Sequence, residues 1–137
     1  MIRLKSRREI EILRAGGRIV AQAIQLVENQ TRAGMTTAEL NREIERLILA
    51  AGARPAFKGY RGFPCSSCIS INEELVHGIP GKRVIREGDI VSADVGVELE
   101  GFFTDAATTV SVGRVSDDAR RLVDVTRTSL DMAIAIL

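Results

Sequence analysis

The cleanest alternation of apolar and polar positions runs through residues 90 to 98, IVSADVGVE. Val91, Ala93, Val95 and Val97 point one way, and Ile90, Ser92, Asp94, Gly96 and Glu98 point the other, which is the period of a half-buried strand. Residues 102 to 112, FFTDAATTVSV, are rich in Thr, Val and Phe and read as the returning strand, with Glu100-Gly101 in the turn region. A two- or four-residue loop gives opposed positions of such a hairpin an odd index sum. Asp94 and Asp105 are eleven apart, so they share a face, either directly opposite or as diagonal neighbours two positions apart.

The flanking segments change period. Over residues 7 to 28, Ile10, Leu13, Val20, Ala23, Ile24 and Val27 keep a helical spacing, and Ser6 with Glu9 forms a capping box at the start. Gly16-Gly17 interrupts this helix at about 1 kcal/mol per glycine relative to alanine, and close packing is the simplest reason for it. Thr36 and Glu39 form a second capping box, and Leu40, Ile44, Leu47, Ile48 and Ala51 continue as a helix that stops near Gly52. A third helix starts near Ser116, with Leu122, Val123, Thr126, Leu130, Ala133, Ile134 and Leu137 as its expected buried stripe. It ends on IAIL without a glycine, asparagine or basic cap. The expectation is a cut end, in a chain that is a piece of a longer protein or associates.

Between the helices and the hairpin, residues 53 to 65, ARPAFKGYRGFPC, read as a loop. Three of the five aromatics, Phe57, Tyr60 and Phe63, fall within it, and such a cluster either lines a pocket or covers the end of the core. SSCISIN alternates as a strand, with Ile69 and Ile71 on one face and Cys68, Ser70 and Asn72 on the other. His77-Gly78-Ile79-Pro80 then makes a turn that holds the only histidine. A lone histidine is by default a surface or satisfied residue.

Composition narrows the options. At 137 residues and 45% hydrophobic content the chain is long enough for one domain with a core. Nineteen basic against 18 acidic residues argue neither for nucleic acid nor for an acidic partner. MIRLKSRREIEIL contains no uninterrupted apolar stretch, so neither a signal peptide nor a membrane span is expected. Two cysteines fit a reducing cytosol. Cys65 and Cys68 have C-x-x-C spacing, but without a second pair or a βαβ context packing is the better reading. Gly81-Lys82 lacks the upstream glycine of a P-loop and is followed by Arg83 rather than Ser or Thr, and no G-x-S-x-G nucleophile motif occurs.

The aspartate pair is the strongest chemical signal. Two carboxylates about 5 Å apart repel by roughly 3 kcal/mol at an effective dielectric of 20. A shared proton, a nearby arginine or a divalent cation would offset this, the cation best. The plain alternative is that one or both are solvated at a sheet edge, or that Asp105 is a turn residue.

With these residues in view, the chain resembles the first half of the type I methionine aminopeptidases. GYRGFPCSSCISINEELVHGIP, followed by EGDIVSADVGVELEGFFTDAATTVSVG, carries the resemblance, which extends over the whole chain. It implies an α+β fold, half of a pita-bread (creatinase/aminopeptidase) fold with an antiparallel sheet and helices packed on one face. Residues 1 to 137 would then be a single domain matching the N-terminal half of the catalytic domain. The implied activity is metal-dependent removal of the initiator methionine from nascent proteins in the cytoplasm. Two divalent ions, Co, Mn, Fe or Zn, would serve as cofactors.

On this resemblance Asp94 and Asp105 fall on metal ligands. His77 falls on a catalytic histidine that also contacts substrate near the scissile bond, and Phe57, Tyr60, Phe63 and Cys68 fall on substrate-binding positions. The family's remaining ligands, one histidine and two glutamates, and a second catalytic histidine come from its C-terminal half. The expectation is an incomplete site, weak metal affinity and a half that is inactive alone. The implied partners are the N-terminal methionine of nascent peptides, the ribosome that presents them, and either the missing C-terminal half or a second copy. No membrane or direct nucleic-acid contact is expected. Two alternatives are a non-catalytic pita-bread binding module and a self-associating half-domain; a binding module would have no need to keep like charges paired.

Overall fold

The computed structural model describes residues 4–137; residues 1–3 of the single expected domain lie outside the described residues. Helix α1 (Arg7–Gln30) begins where the capping box predicts: the Glu9 carboxylate accepts from the Ser6 N–H at 2.6 Å and the Ser6 hydroxyl accepts from the Glu9 N–H at 3.3 Å. Helix α2 (Thr37–Ala50) repeats the device with Thr36 and Glu39. Each reciprocal pair satisfies donors that a helix start otherwise leaves free. No helix among the described residues is long and apolar enough to cross a membrane.

Four antiparallel strands follow: β1 (Arg54–Pro55), β2 (Ser67–Ile71), β3 (Ile90–Leu99) and β4 (Phe102–Ser111). β3 is the centre. It pairs along one edge with β1 and then β2, and along the other with the whole of β4. Leu99 opposes Phe102, leaving a two-residue loop in which Glu100 (φ 49°) and Gly101 (φ 80°) are both left-handed. That turn geometry matches the twist of the strands it joins.

α1 lies across β3 and β4, and α2 across β1 and β2, all on the face that carries Val91, Ala93, Val95 and Val97. These four are fully buried, together with Ala23, Val27, Leu40, Ile44, Ile48, Ile69 and Ile71. Of the stripe expected on the first helix, Val20, Ala23 and Val27 are buried while Ile10 is 43% exposed. Gly16 lets α1 approach β4 closely: a Cβ there would lie 2.8 Å from the Thr104 hydroxyl, whereas one at Gly17 would meet open space.

Three expectations need correction. Residues 53 to 65 are not loop throughout, because Arg54–Pro55 pairs with Glu98 and Val97 and Tyr60–Gly62 makes one 3-10 turn. SSCISIN does not alternate in burial, since every residue of β2 is buried, and Asn72 is a left-handed turn residue rather than part of the strand. The stripe of the third helix, α3 (Asp117–Ile134), is exposed: none of its residues is buried, with Leu122, Leu130 and Ile134 at 61%, 59% and 58%. α1 and α2 already fill the apolar face of the sheet, so α3 finds no apolar surface left to cover.

The two adjacent glycines of α1 separate packing from propensity. Gly16→Val should destabilise by about 1–3 kcal/mol through overpacking against Thr104. Gly17→Ala should stabilise by roughly 0.5–1 kcal/mol. Urea unfolding of the two variants checks this, and equal shifts in the same direction would contradict the close approach.

Candidate functional site

The face of the sheet turned away from α1 and α2 carries the polar positions of β3 in order. Ser92 opposes Thr109 and Ser70, and its hydroxyl lies 2.8 Å from that of Thr109. Asp94 opposes Ala107 on β4 and Cys68 on β2, and Gly96 opposes Asp105. Asp94 and Asp105 are therefore diagonal neighbours on one face, the second of the two registers open from spacing. At the end of the row Glu98 is held at 2.6 Å by Arg54 and accepts from the Gly101 N–H at 2.8 Å.

Phe57 closes one side of this face. A Cβ on Gly96 would lie within 3.0 Å of its ring, so the ring rests on bare strand backbone opposite Asp105 and one same-face step from Asp94. His77 approaches along the outer edge of β2, where the Gly78 carbonyl accepts from the Ile69 N–H at 2.9 Å and Glu74 accepts from the Ile71 N–H at 2.8 Å. Those two bonds satisfy edge donors that β3 does not reach. The imidazole is near enough to Asp94 to favour its ionised form.

Burial nonetheless raises the Asp94 carboxyl above the ordinary aspartate value, with the like charge of Asp105 adding to it and His77 opposing. Asp94 Oδ1 is buried with no hydrogen-bond partner. Burial, reinforced by Asp94 and Asp105, pushes the Cys68 thiol up to about 11. Burial also raises Cys65, whose Sγ lies 3.7 Å from the Pro80 carbonyl oxygen. Both cysteines are free thiols.

Asp94, Asp105, Cys68 and Phe57 thus converge, and His77 is exposed on the turn along the outer edge of β2. Tyr60 and Phe63 are not tied to the carboxylates by any described contact: Tyr60 is 63% exposed with the Arg61 guanidinium 5.4 Å from its ring centre, and Phe63 is half-buried at the end of the 3-10 turn. Two clefts of about 450 and 430 Å³ open elsewhere, beside Lys82 and Arg86 and beside Lys58 and Phe103. The aspartate pair sits on an open sheet face.

Two residues that position the site were missed in the sequence. Gly96 had a signal, since a glycine inside a strand often marks close approach of another group. Asn41 lies on the buried face of α2, where its Oδ1 accepts from the Ser66 N–H, the Ser67 N–H and the Ser67 hydroxyl, each at 3.0 Å. A polar residue in the stripe with Thr37, Leu40, Ile44 and Ile48 was its signal.

Hard carboxylate oxygens, one of them buried and unpaired, suit a divalent cation. Among the described residues no group of three or more His, Cys, Asp or Glu is placed to hold one, so the pair fits as part of a coordination shell. The model of metallopeptidase family M24 matches residues 11–137. The chain belongs to metallopeptidase family M24. Methionine aminopeptidase 1 of Bacillus subtilis is 49% identical over 130 residues, which is 95% of this chain and 52% of that protein. The crystal structure of methionine aminopeptidase from Thermotoga maritima superposes with a TM-score of 0.97 at 40% identity, covering 100% of this chain and 55% of the other. Escherichia coli aminopeptidase P gives 0.80 at 28% identity, covering 93% and 28%. The M24 chain spans about half the length of the curated relatives it matches, and its antiparallel sheet with helices on one face has the pita-bread fold of these structures.

Because the folded-state value of Asp94 is raised, the native protein holds that proton more tightly than the unfolded chain. The stability this gives is full below the ordinary value of 3.8 and is lost as pH rises through the raised value. In chelator-treated buffer at pH 7, Asp94→Asn should therefore stabilise the protein by up to about 1 kcal/mol, discounted for partial exposure. The gain should vanish near pH 3. Urea unfolding at both pH values tests the sign.

Proposed function

We propose that this chain carries one side of a dinuclear aminopeptidase centre that removes N-terminal methionine from nascent proteins in the cytoplasm. The single observation behind the reading is the unpaired, buried oxygen of Asp94 set diagonally beside Asp105. Both carboxylates would ligate divalent cations, which supply Lewis-acid polarisation and a lowered pKa for a nucleophilic water when bound. Cobalt, manganese, iron and zinc all suit such a centre.

The chain's own residues then do four things. Asp94 and Asp105 fix the positions of the ions from one rigid strand pair. Phe57, Tyr60, Phe63 and Cys68 line the pocket for the methionine side chain; the Cys68 thiol stays un-ionised and acts there as a small apolar surface. His77 donates an imidazole N–H to the scissile amide near its nitrogen and steadies that nitrogen as it departs. Phe57, resting on Gly96, keeps water from one flank of the carboxylates. On the family resemblance, further donors, one histidine and two glutamates, would be supplied from elsewhere than these 137 residues. The isolated chain, the N-terminal half of the catalytic domain, accordingly binds metal weakly and releases little or no methionine.

A second copy of the chain is the other source of donors, favoured by the exposed apolar side chains of α3. Light scattering with metal analysis decides: a monomer without bound metal would sink it. In the assembly that does release methionine from a Met-Gly peptide, Asp94→Asn and Asp105→Asn should each lower kcat/KM by about 100-fold or more. Both should also weaken metal binding measured by calorimetry. Wild-type turnover and affinity in either variant would overturn the ligand assignment.

A further inference from the structure

His77 has φ 58°, a left-handed conformation that is costly for a residue with a Cβ and persists only where its surroundings impose it. The residue that follows it, Gly78, is bonded to the neighbouring strand. We propose that Ser70 is a positioning residue for His77, an inference that rests on the role assigned to His77 above.

Gly78, directly after His77, is tied to β2 through both of its backbone groups. Its carbonyl accepts from the Ile69 N–H at 2.9 Å, and its N–H donates to the Ser70 hydroxyl at 3.1 Å. The segment lies flush against the strand: a Cβ on Gly78 would run into the Ile69 carbonyl and lie 2.9 Å from Ser70 Oγ. Ser70 is 4% exposed and opposes Ser92, one step along the same face from the pair Cys68 and Asp94. Its side chain therefore sits between the strand pair that places Asp94 and the turn that places His77.

Two bonds on one residue fix the plane of its peptides, whereas one bond leaves a pivot. Removing the Ser70 hydroxyl leaves only the Ile69 bond, and the Gly78 N–H loses its acceptor in a tightly packed place. The His77 backbone is then free to relax from its left-handed conformation, which swings the imidazole away from Asp94. Displacements of about 1 Å in a positioned catalytic group cost on the order of 100-fold in rate.

The chain holds one histidine, so NMR of the whole chain gives one set of imidazole signals. In Ser70→Ala the His77 imidazole, the His77 13Cα and 13Cβ shifts and the Gly78 amide should all move, while Ser70→Thr should stay close to wild type. Should Ser70→Ala fail to fold, Ser70→Val against Ser70→Thr decides, because the two share a shape and differ in the hydroxyl. Identical His77 and Gly78 signals in folded variants with and without the hydroxyl would overturn the proposal.

The kinetic arm is a double-mutant cycle with His77→Ala in the assembly that releases methionine. Ser70→Ala should lower kcat about 10- to 100-fold with KM changed by less than about twofold, and should add nothing in the His77→Ala background. Equal losses in both backgrounds would reject positioning through His77. If His77→Ala alone left kcat unchanged, the assignment of His77 would fall, and the NMR comparison would still decide whether Ser70 sets its conformation.

Discussion

The register of β3 is the constraint on which everything else depends. Val91, Ala93, Val95 and Val97 are fully buried under α1 and α2, and each valine contributes roughly 1.5–3 kcal/mol by leaving water. A slip of one residue would turn Ser92, Asp94 and Glu98 into that core, exchanging apolar burial for the cost of buried charge. The left-handed pair Glu100 and Gly101 fixes the same register independently from the turn. Once the register is set, Asp94 and Asp105 have no choice of face, and their diagonal relation follows from β4 being wound back by two residues.

What the core enforces, the chain's own groups on the opposite face do not offset. Among the described residues, three buried side-chain oxygens lack partners: Ser66 Oγ, Thr104 Oγ1 and Asp94 Oδ1. Two are hydroxyls, whose burial costs little beside that of a carboxylate facing a second carboxylate. Gly96 belongs to the same face, because any larger residue there would displace the Phe57 ring. The bare backbone thus lets the ring pack against one flank of an otherwise open, repulsive pair. Such a local conflict with stability is the expected signature of a functional position.

The parts of this arrangement legible from sequence are those set by near neighbours. The hairpin came from alternation and the Glu100-Gly101 turn region, and the helix starts came from Ser6 with Glu9 and Thr36 with Glu39, all within a few positions of one another. Long-range contacts were opaque. Arg54–Pro55 is too short for any periodicity, and only its pairing with Glu98 and Val97 makes it a strand. The stripe on α3 announces an apolar face without saying whether a surface remains for it. Spacing put His77 in a turn, but neither its positive φ nor the bonds of the following Gly78 to Ile69 and Ser70 are encoded in a local pattern. Tyr60 stands 63% exposed beside Arg61, and no local pattern sets the exposure of a loop aromatic.

The outer edge of β2 explains how a loop can be as well placed as a strand. An edge strand must satisfy or cover its outward N–H groups, and here the donors at Ile69 and Ile71 are taken by Gly78 and Glu74 rather than by another strand. Glu74 is in turn gripped by Arg83 at 2.6 Å, which ties the turn to the segment leading into β3. At the start of β2, Asn41 spends its carbonyl oxygen on three donors of Ser66 and Ser67, joining the strand to α2. The His77 turn and Cys68 are therefore fixed to the same scaffold as Asp94, through groups that never touch the carboxylates. Geometry at the site is in this sense a by-product of backbone hydrogen-bond accounting at a sheet edge, and that is why residues one step removed from the chemistry control it.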